Sequence, residues 1–190
     1  MITGLANIIA DFFVSRQWVE ADERDIYQYG CEVILASMVN VIIVVLCGLL
    51  FHELAYISAF YLVFLLLRRY CGGYHAKTHL RCNTIFTANI VFVLLILKNY
   101  NFVSSSFVFL AVFVSCLVVW ILSPIINKNK PLTEEEANKY RKISFIITLV
   151  VAVTALMLVA VNMKISAMLS MALLSVSGAM MVENIVGREV

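Results

Sequence analysis

The chain has 190 residues, 63% of them hydrophobic and 14% charged, with a formal net charge of +2. Soluble domains carry roughly 45–50% apolar and about 25% charged residues, so this composition excludes a water-soluble globule. Seven glycines and two prolines are too few for a turn-rich fold, and the long, unalternating apolar runs predict lipid-embedded helices rather than barrel strands.

At the N-terminus a cleaved signal peptide is not expected, because there is no basic n-region and Asp11 interrupts the short apolar stretch. Ile2, Leu5, Ile9, Phe12 and Phe13 fall near helical spacing. They predict an amphipathic helix lying in the membrane interface, with a plain N-terminal extension as the alternative. Six apolar segments follow: Cys31–Leu50, Leu54–Leu67, Thr84–Leu97, Phe102–Ile126, Ile143–Val161 and Ile165–Val182. A perpendicular helix crosses the hydrocarbon in about 20 residues. The second and third segments are short, so they are either re-entrant or lengthened by Arg68 and Arg69, whose side chains can snorkel. Full spans are expected. The fold class is therefore an all-α integral membrane protein with about six transmembrane helices, forming a single polytopic domain over 1–190. Within it we distinguish an N-terminal segment (1–30), a reactive loop (68–83) and a basic loop (127–142).

Lysine and arginine set the expected orientation. With six spans, the two termini and the loops after the second and fourth spans share one side. That side holds Arg16, Arg24, Arg68, Arg69, Lys77, Arg81, Lys128, Lys130, Lys139, Arg141, Lys142 and Arg188, whereas the other holds Lys98 and Lys164. The basic side is expected to be cytoplasmic. In the loop "NKNKPLTEEEANKYRK", Thr133 and Glu136 have the spacing of a capping box, and Glu135 leads Lys139 by one turn. This reads as a solvated extension of the fifth span, or as a docking surface for a charged peptide. In the sixth span Ser166 and Ser170, and then Ser175 and Ala179, place small residues four apart. Such spacing allows close helix packing within one chain or between two, which leaves a homodimer open.

Most of the reactive side chains crowd into "RRYCGGYHAKTHLRC", Arg68 to Cys82. Of the five cysteines, Cys31, Cys47 and Cys116 lie in or beside apolar runs and read as packing residues. Zinc is one chemistry the loop admits, since Cys71, His75, His79 and Cys82 are all legitimate ligands. In a continuous helix these positions spread over about 16 Å, and a straight helix presents two of them to one ion. A metalloprotease is not expected: after His52-Glu53 the second histidine of HExxH is missing, because Tyr56 stands there. The third chemistry is a nucleophilic cysteine. Cys82 follows Arg81, with Lys77, His75 and His79 close in sequence and no acid nearby. Positive charge favours a thiolate, and a histidine can accept the thiol proton and return it to a leaving amine. A positive-inside loop that merely contains these residues is the plain alternative.

At these residues the chain resembles the AgrB family, the accessory gene regulator membrane peptidases of Gram-positive bacteria. The matching features are Arg68, Gly73, the core His75-Ala76-Lys77-Thr78, and Cys82 seven residues after the histidine. Chain length, spans and the basic "NKNKPLTEEE" stretch resemble the family as well. The resemblance implies a cysteine endopeptidase, without cofactor or metal, that processes an AgrD-like propeptide into a cyclic autoinducing peptide. It implies that Cys82 is the nucleophile and His75 the base. In a continuous helix, however, His75 and Cys82 lie about 10 Å apart along the axis, while His79 is within reach. The site therefore needs a turn between Ala76 and Arg81, or a dyad completed by another segment or another subunit, with His79 as the alternative base. Arg68, Gly73, Lys77, Arg81, Lys128 and Lys130 are the expected supporting or substrate-binding residues. The expected partners are the propeptide and the lipid bilayer, in the bacterial cell membrane, with no nucleic acid. The rival from another class is a non-enzymatic exporter of a small peptide. It is weakened because the spans contain Asn40 and Asn89 but no row of ionisable groups.

Overall fold

The computed structural model describes residues 2–74, 78–125 and 133–186, and for His79 the backbone alone. Seven α-helices run through it: α1 (Ile2–Ser15), α2 (Arg24–Leu50), α3 (Leu54–Cys71), α4 (His79–Lys98), α5 (Ser105–Leu122), α6 (Glu134–Met157) and α7 (Met163–Val186). Among the described residues, six helices, α2 to α7, are long and apolar enough to cross a bilayer. This is a multi-pass helical membrane protein.

The two short apolar segments are longer as helices than their hydrophobic stretches. α3 continues through Arg68 and Arg69 to Cys71, and α4 starts at His79, giving 18 and 20 residues, or about 27 and 30 Å. α4 matches the roughly 30 Å thickness of the hydrocarbon core, and α3 comes within about 3 Å of it. Conversely, the fourth span contracts to 18 residues, because Ser104 caps α5 through the Phe107 N–H at 3.1 Å and Pro124 follows its end. α6 opens with the capping box read from the sequence. Thr133 Oγ1 accepts from the Glu136 N–H at 3.2 Å, and the Thr133 N–H donates to Glu136 Oε2 at 3.0 Å. Residues 134–142 thus extend the fifth span as helix, while Lys128 and Lys130 lie outside the described residues.

Contacts between chain-distant residues define the two ends of the bundle. At one end Lys164 Nζ pairs with Glu53 Oε1 at 2.7 Å and sits over the rings of Tyr56 and Tyr100. Lys98 lies over Phe51 at this same end. At the other end the Ile125 N–H donates to Cys71 O, and the Tyr74 N–H to Ala179 O, each at 2.9 Å. Consecutive spans from α2 to α7 therefore run antiparallel.

α7 is the central helix and packs on α3, α4, α5 and α6. Its small residues explain that position, since without a hydrophobic drive between helices in lipid, close backbone approach and hydroxyl bonds hold them together. Ser166 and Ser170 are fully buried, and Ser166 Oγ donates to Ala155 O at 2.8 Å. Ser177 Oγ meets Ser115 Oγ at 3.1 Å. The small-residue spacing thus serves packing within the chain at these positions.

α1 packs on α2 through Ala6 and Ala10, both fully buried. Arg24 at the start of α2 donates to Asp11 Oδ1 at 2.7 Å. Leu5, Ile8 and Phe12 stay exposed on the opposite side. The helix is amphipathic in an unusual sense: alanines face the protein, while the bulky apolar residues face outward.

Candidate active site

The reactive loop is a break between two helices. α3 ends where Gly72 and Gly73 take positive φ values of 77° and 132°, a region L side chains avoid. The close contacts give a second reason for glycine. A Cβ at Gly72 would overlap the Ile125 carbonyl oxygen, and one at Gly73 would overlap Arg68 Nη1 and come within 3.2 Å of the Ala179 carbonyl carbon. Arg68 does not snorkel outward as expected. It folds back over the loop, donating from Nη1 to Gly72 O at 2.9 Å and from Nη2 to Tyr74 O. Arg69 is the exposed neighbour, its guanidinium over the Tyr70 ring. Gly73 and Arg68, both expected to be supporting residues, are thus brought into contact, because only a residue without Cβ leaves room for the guanidinium.

On the far side of the loop Thr78 is extended, and its Oγ1 accepts from the Arg81 N–H at 3.3 Å, capping α4. The continuous helix that separated His75 from Cys82 is therefore absent, since Gly72–Tyr74 and Thr78 are not helical. His75 and Lys77 lie outside the described residues. His79 is the first residue of α4, and Arg81, exposed, lies in the same first turn. The Cys82 N–H bonds to Thr78 O at 3.1 Å, so the cysteine sits at the first turn of the helix. Backbone N–H groups and the positive end of the helix dipole gather there, an arrangement that favours negative charge beside the thiol.

Cys82 is a free, half-buried thiol on the wall of a cleft of about 660 Å³ between α2, α3, α4 and α7. Arg68 and Tyr74 line the same cleft, and Glu183 on α7 lies within electrostatic reach of Arg68. Below Cys82 the α4 wall continues through Ile85 and Phe86 to Asn89, all on one helical face. Asn40 on α2 and Ser175 on α7 line it as well, and Ser175 Oγ donates to Asn89 Oδ1 at 3.0 Å. Tyr74, Asn40, Asn89 and Ser175 were not read as site residues from the sequence. The available signal was the rarity of polar amides inside membrane spans, where such groups mark function by default.

The two loop cysteines part company. Cys71 is fully buried, with its thiol against the hydroxyls of Thr148, Ser144 and Ser123 rather than in the cleft. Ser123 Oγ and Ser144 Oγ are themselves 2.6 Å apart. A zinc site drawing on both Cys71 and Cys82 would have to unite two thiols that face different surroundings. Among the described residues, no group of three or more His, Cys, Asp or Glu side chains gathers to hold a metal.

Comparison with known proteins agrees with this architecture. The family model described as Accessory gene regulator B matches residues 6–182. Among similar proteins, a "Putative AgrB-like protein 2" of Clostridium perfringens is 25% identical over 148 residues, covering 75% of this chain and 69% of the relative. A "Putative AgrB-like protein" of Listeria innocua is 29% identical over 164 residues, covering 84% and 79% respectively. The "Accessory gene regulator protein B" of Staphylococcus haemolyticus is 25% identical over 124 residues, 65% of each chain. No solved structure matches. With the family model spanning all but the two ends, the chain belongs to the AgrB family.

Proposed function

We propose that this protein is a membrane cysteine endopeptidase that cleaves an AgrD-like propeptide and closes its N-terminal product into a cyclic autoinducing peptide. Family membership supports the coarser role, in autoinducer processing within an accessory gene regulator system. The observation that carries the finer reading is Cys82, a free thiol at the first turn of α4 opening onto a cleft large enough for a peptide.

Cys82 Sγ attacks the scissile carbonyl carbon, and His75 takes the thiol proton. The C–N bond breaks, the leaving amine receives that proton, and a thioester joins the acyl part to Cys82. A thiol or hydroxyl within the bound acyl segment then attacks the thioester carbonyl. The C–S bond breaks, Cys82 recovers its proton, and a thiolactone or lactone ring leaves. The thioester retains acyl-transfer potential, so closure needs no ATP, provided water is kept from it. Arg81, Lys77, Lys128 and Lys130 offer positive charge to the propeptide on the side that carries both termini. The lysine and arginine asymmetry makes that side the cytosol.

The test uses the full-length protein in lipid vesicles with an AgrD-like precursor peptide. A covalent adduct on Cys82, equal in mass to the acyl part and released by hydroxylamine, is expected before the cyclic product accumulates. Cleavage that proceeds at the same rate in Cys82→Ala would overturn the reading.

A further inference from the structure

We infer that the cleft below Cys82 is the acyl-side subsite, holding about three apolar residues upstream of the scissile bond. Its floor is built from Asn40, Asn89 and Ser175, which take the peptide's backbone amides. The inference rests on the reading that Cys82 is acylated.

Depth is the first argument. Cys82 and Asn89 are seven residues apart on one face of α4, which places the polar floor about 10 Å below the thiol. An extended peptide advances roughly 3.3 Å per residue, so about three residues fit between them. The second argument is an orphan acceptor. Asn40 Oδ1 is buried and, among the described residues, has no hydrogen-bond partner. An unmet acceptor inside a membrane span is unfavourable unless something supplies a donor. Asn40 Oδ1 is shielded from the cleft as it stands, so a turn of the Asn40 side chain presents it to a peptide N–H, and the carboxamide N–H groups of the two asparagines are matching donors for the peptide's carbonyls.

Charge decides which half of the substrate enters. Among the described residues lining the cleft, Arg68 alone carries a full charge, and it stands at the mouth beside Tyr74. The walls are Phe64, Leu65, Phe86 and their aliphatic neighbours. A leaving segment must depart towards water once its amide bond breaks. The acyl segment stays bound to Cys82 until its own nucleophile displaces the sulfur. The half that must be held, and kept dry, is the acyl half.

Gly178 supplies a clean way to fill the cleft. It lies on the α7 wall, and a Cβ there would meet no atom within 4 Å. Gly178→Leu therefore projects into open space and improves helix propensity.

The probe is a series of N-acetylated apolar peptidyl chloromethyl ketones of one to four residues, with all-D counterparts. The protein is full length and in phosphatidylglycerol-containing vesicles. Cys82 Sγ displaces chloride, forming a C–S bond as the C–Cl bond breaks, and each rate is divided by the same protein's iodoacetamide rate. The D reagents partition into lipid as the L reagents do, so the L-to-D ratio isolates recognition. We expect that ratio to reach at least tenfold and to rise up to three residues without gain from a fourth. Gly178→Leu should bring it near one, and Asn40→Leu should lower it about tenfold. A wild-type ratio near one, as for a cleft that holds a lipid tail, would overturn the subsite, as would a ratio unchanged in Gly178→Leu. If the ratios behave as expected but an AgrD-like precursor is never cleaved, the peptidase reading fails and the subsite stands. If Gly178→Leu cleaves the precursor at the wild-type rate, the subsite fails and the peptidase reading stands.

Discussion

Arg68 and Gly73 occupy one another's space: the guanidinium that donates to Gly72 O at 2.9 Å and to Tyr74 O lies where a Cβ on Gly73 would fall. The last turn of α3 thereby clamps the loop that follows it, and the Tyr74 N–H, bound to Ala179 O at 2.9 Å, docks that loop on α7. Two separate requirements, a planar fork and a missing side chain, meet at one point.

The fork is the first thing to test. A guanidinium reaches two carbonyls from one rigid plane, whereas an ammonium is a point donor. Arg68→Lys keeps the charge and loses one of the two bonds. Hydrogen bonds from charged donors contribute about 1.5–3 kcal/mol each, so precursor processing should fall about tenfold or more. Arg68→Ala should fall further and should also lower the thermal stability in detergent. Wild-type processing by Arg68→Lys would mean that charge alone matters there.

Gly73→Ala should be more damaging than a one-carbon change elsewhere. The backbone φ of 132° is unfavourable for any L side chain, at a cost of order 1–3 kcal/mol, and the new methyl displaces the Arg68 guanidinium. Gly178→Ala is the internal comparison, since its Cβ meets nothing within 4 Å. Thermal unfolding of the pair should separate them by several degrees, with Gly73→Ala the lower.

Much of this was legible in the sequence because membrane helices advertise themselves by length and apolarity. The six spans and the Thr133–Glu136 capping box follow from composition and cap spacing. The turn expected between Ala76 and Arg81 lies further back, since the helix breaks at Gly72–Tyr74 and α4 is already helical from His79 to Arg81. Span ends were less legible. Hydropathy stops at Leu67 and resumes at Thr84, yet the backbone stays helical through the charged Arg68 and Arg69 and resumes at the Thr78 cap. Polar residues at a membrane surface leave the hydropathy signal without leaving the helix. The cleft was not legible, because Asn40, Asn89 and Ser175 sit on three helices far apart in sequence. Arg68 departs from snorkelling for the same reason: its carbonyl partners arise only when the glycines turn the chain back.

Glu53 and Lys164 form an ion pair at the end of the bundle opposite the reactive loop, with 12% and 18% of their side-chain surface exposed. Removing one partner leaves a largely buried charge uncompensated, which is commonly worth about 3–5 kcal/mol, whereas replacing both is often near neutral. Lys164→Met should therefore lower thermal stability clearly, and adding Glu53→Gln should restore most of the loss. Lys164 also covers the Tyr56 ring at 4.3 Å, so a small deficit should remain in the double variant. Additive losses in the two single variants would show that the pair is not coupled.

The basic asymmetry of the sequence predicts a cytosolic reactive loop. Lys77→Cys, introduced after the native cysteines are replaced, should resist a membrane-impermeant maleimide in intact cells and react once the membrane is opened. A cysteine placed at Lys98 should show the reverse pattern. Labelling of position 77 from outside would invert the bundle and remove the cytosolic site.

The proposed mechanism is tested by separating the roles of Cys71, His75, His79 and Cys82. Cys82→Ala should abolish cleavage while the protein still inserts, since no thioester forms without the thiol. Cys71 is fully buried against Thr148, Ser144 and Ser123, so Cys71→Ser should keep cleavage, and native iodoacetamide labelling should mark Cys82 in preference to Cys71. His75→Ala should lose about 10²–10⁴-fold, the usual worth of general acid–base assistance. His79, on the first turn of α4 with Cys82 three residues on, is the competing base. With the chain broken at Gly72–Tyr74 and at Thr78, no continuous helix holds His75 away from the thiol, so His79→Ala should retain most of the activity. A dead His79→Ala beside an active His75→Ala would assign the base to the helix instead of the loop. Loss of activity in all four variants, together with inhibition by a chelator, would instead require zinc and would mean that Cys71 leaves its buried position to bind it.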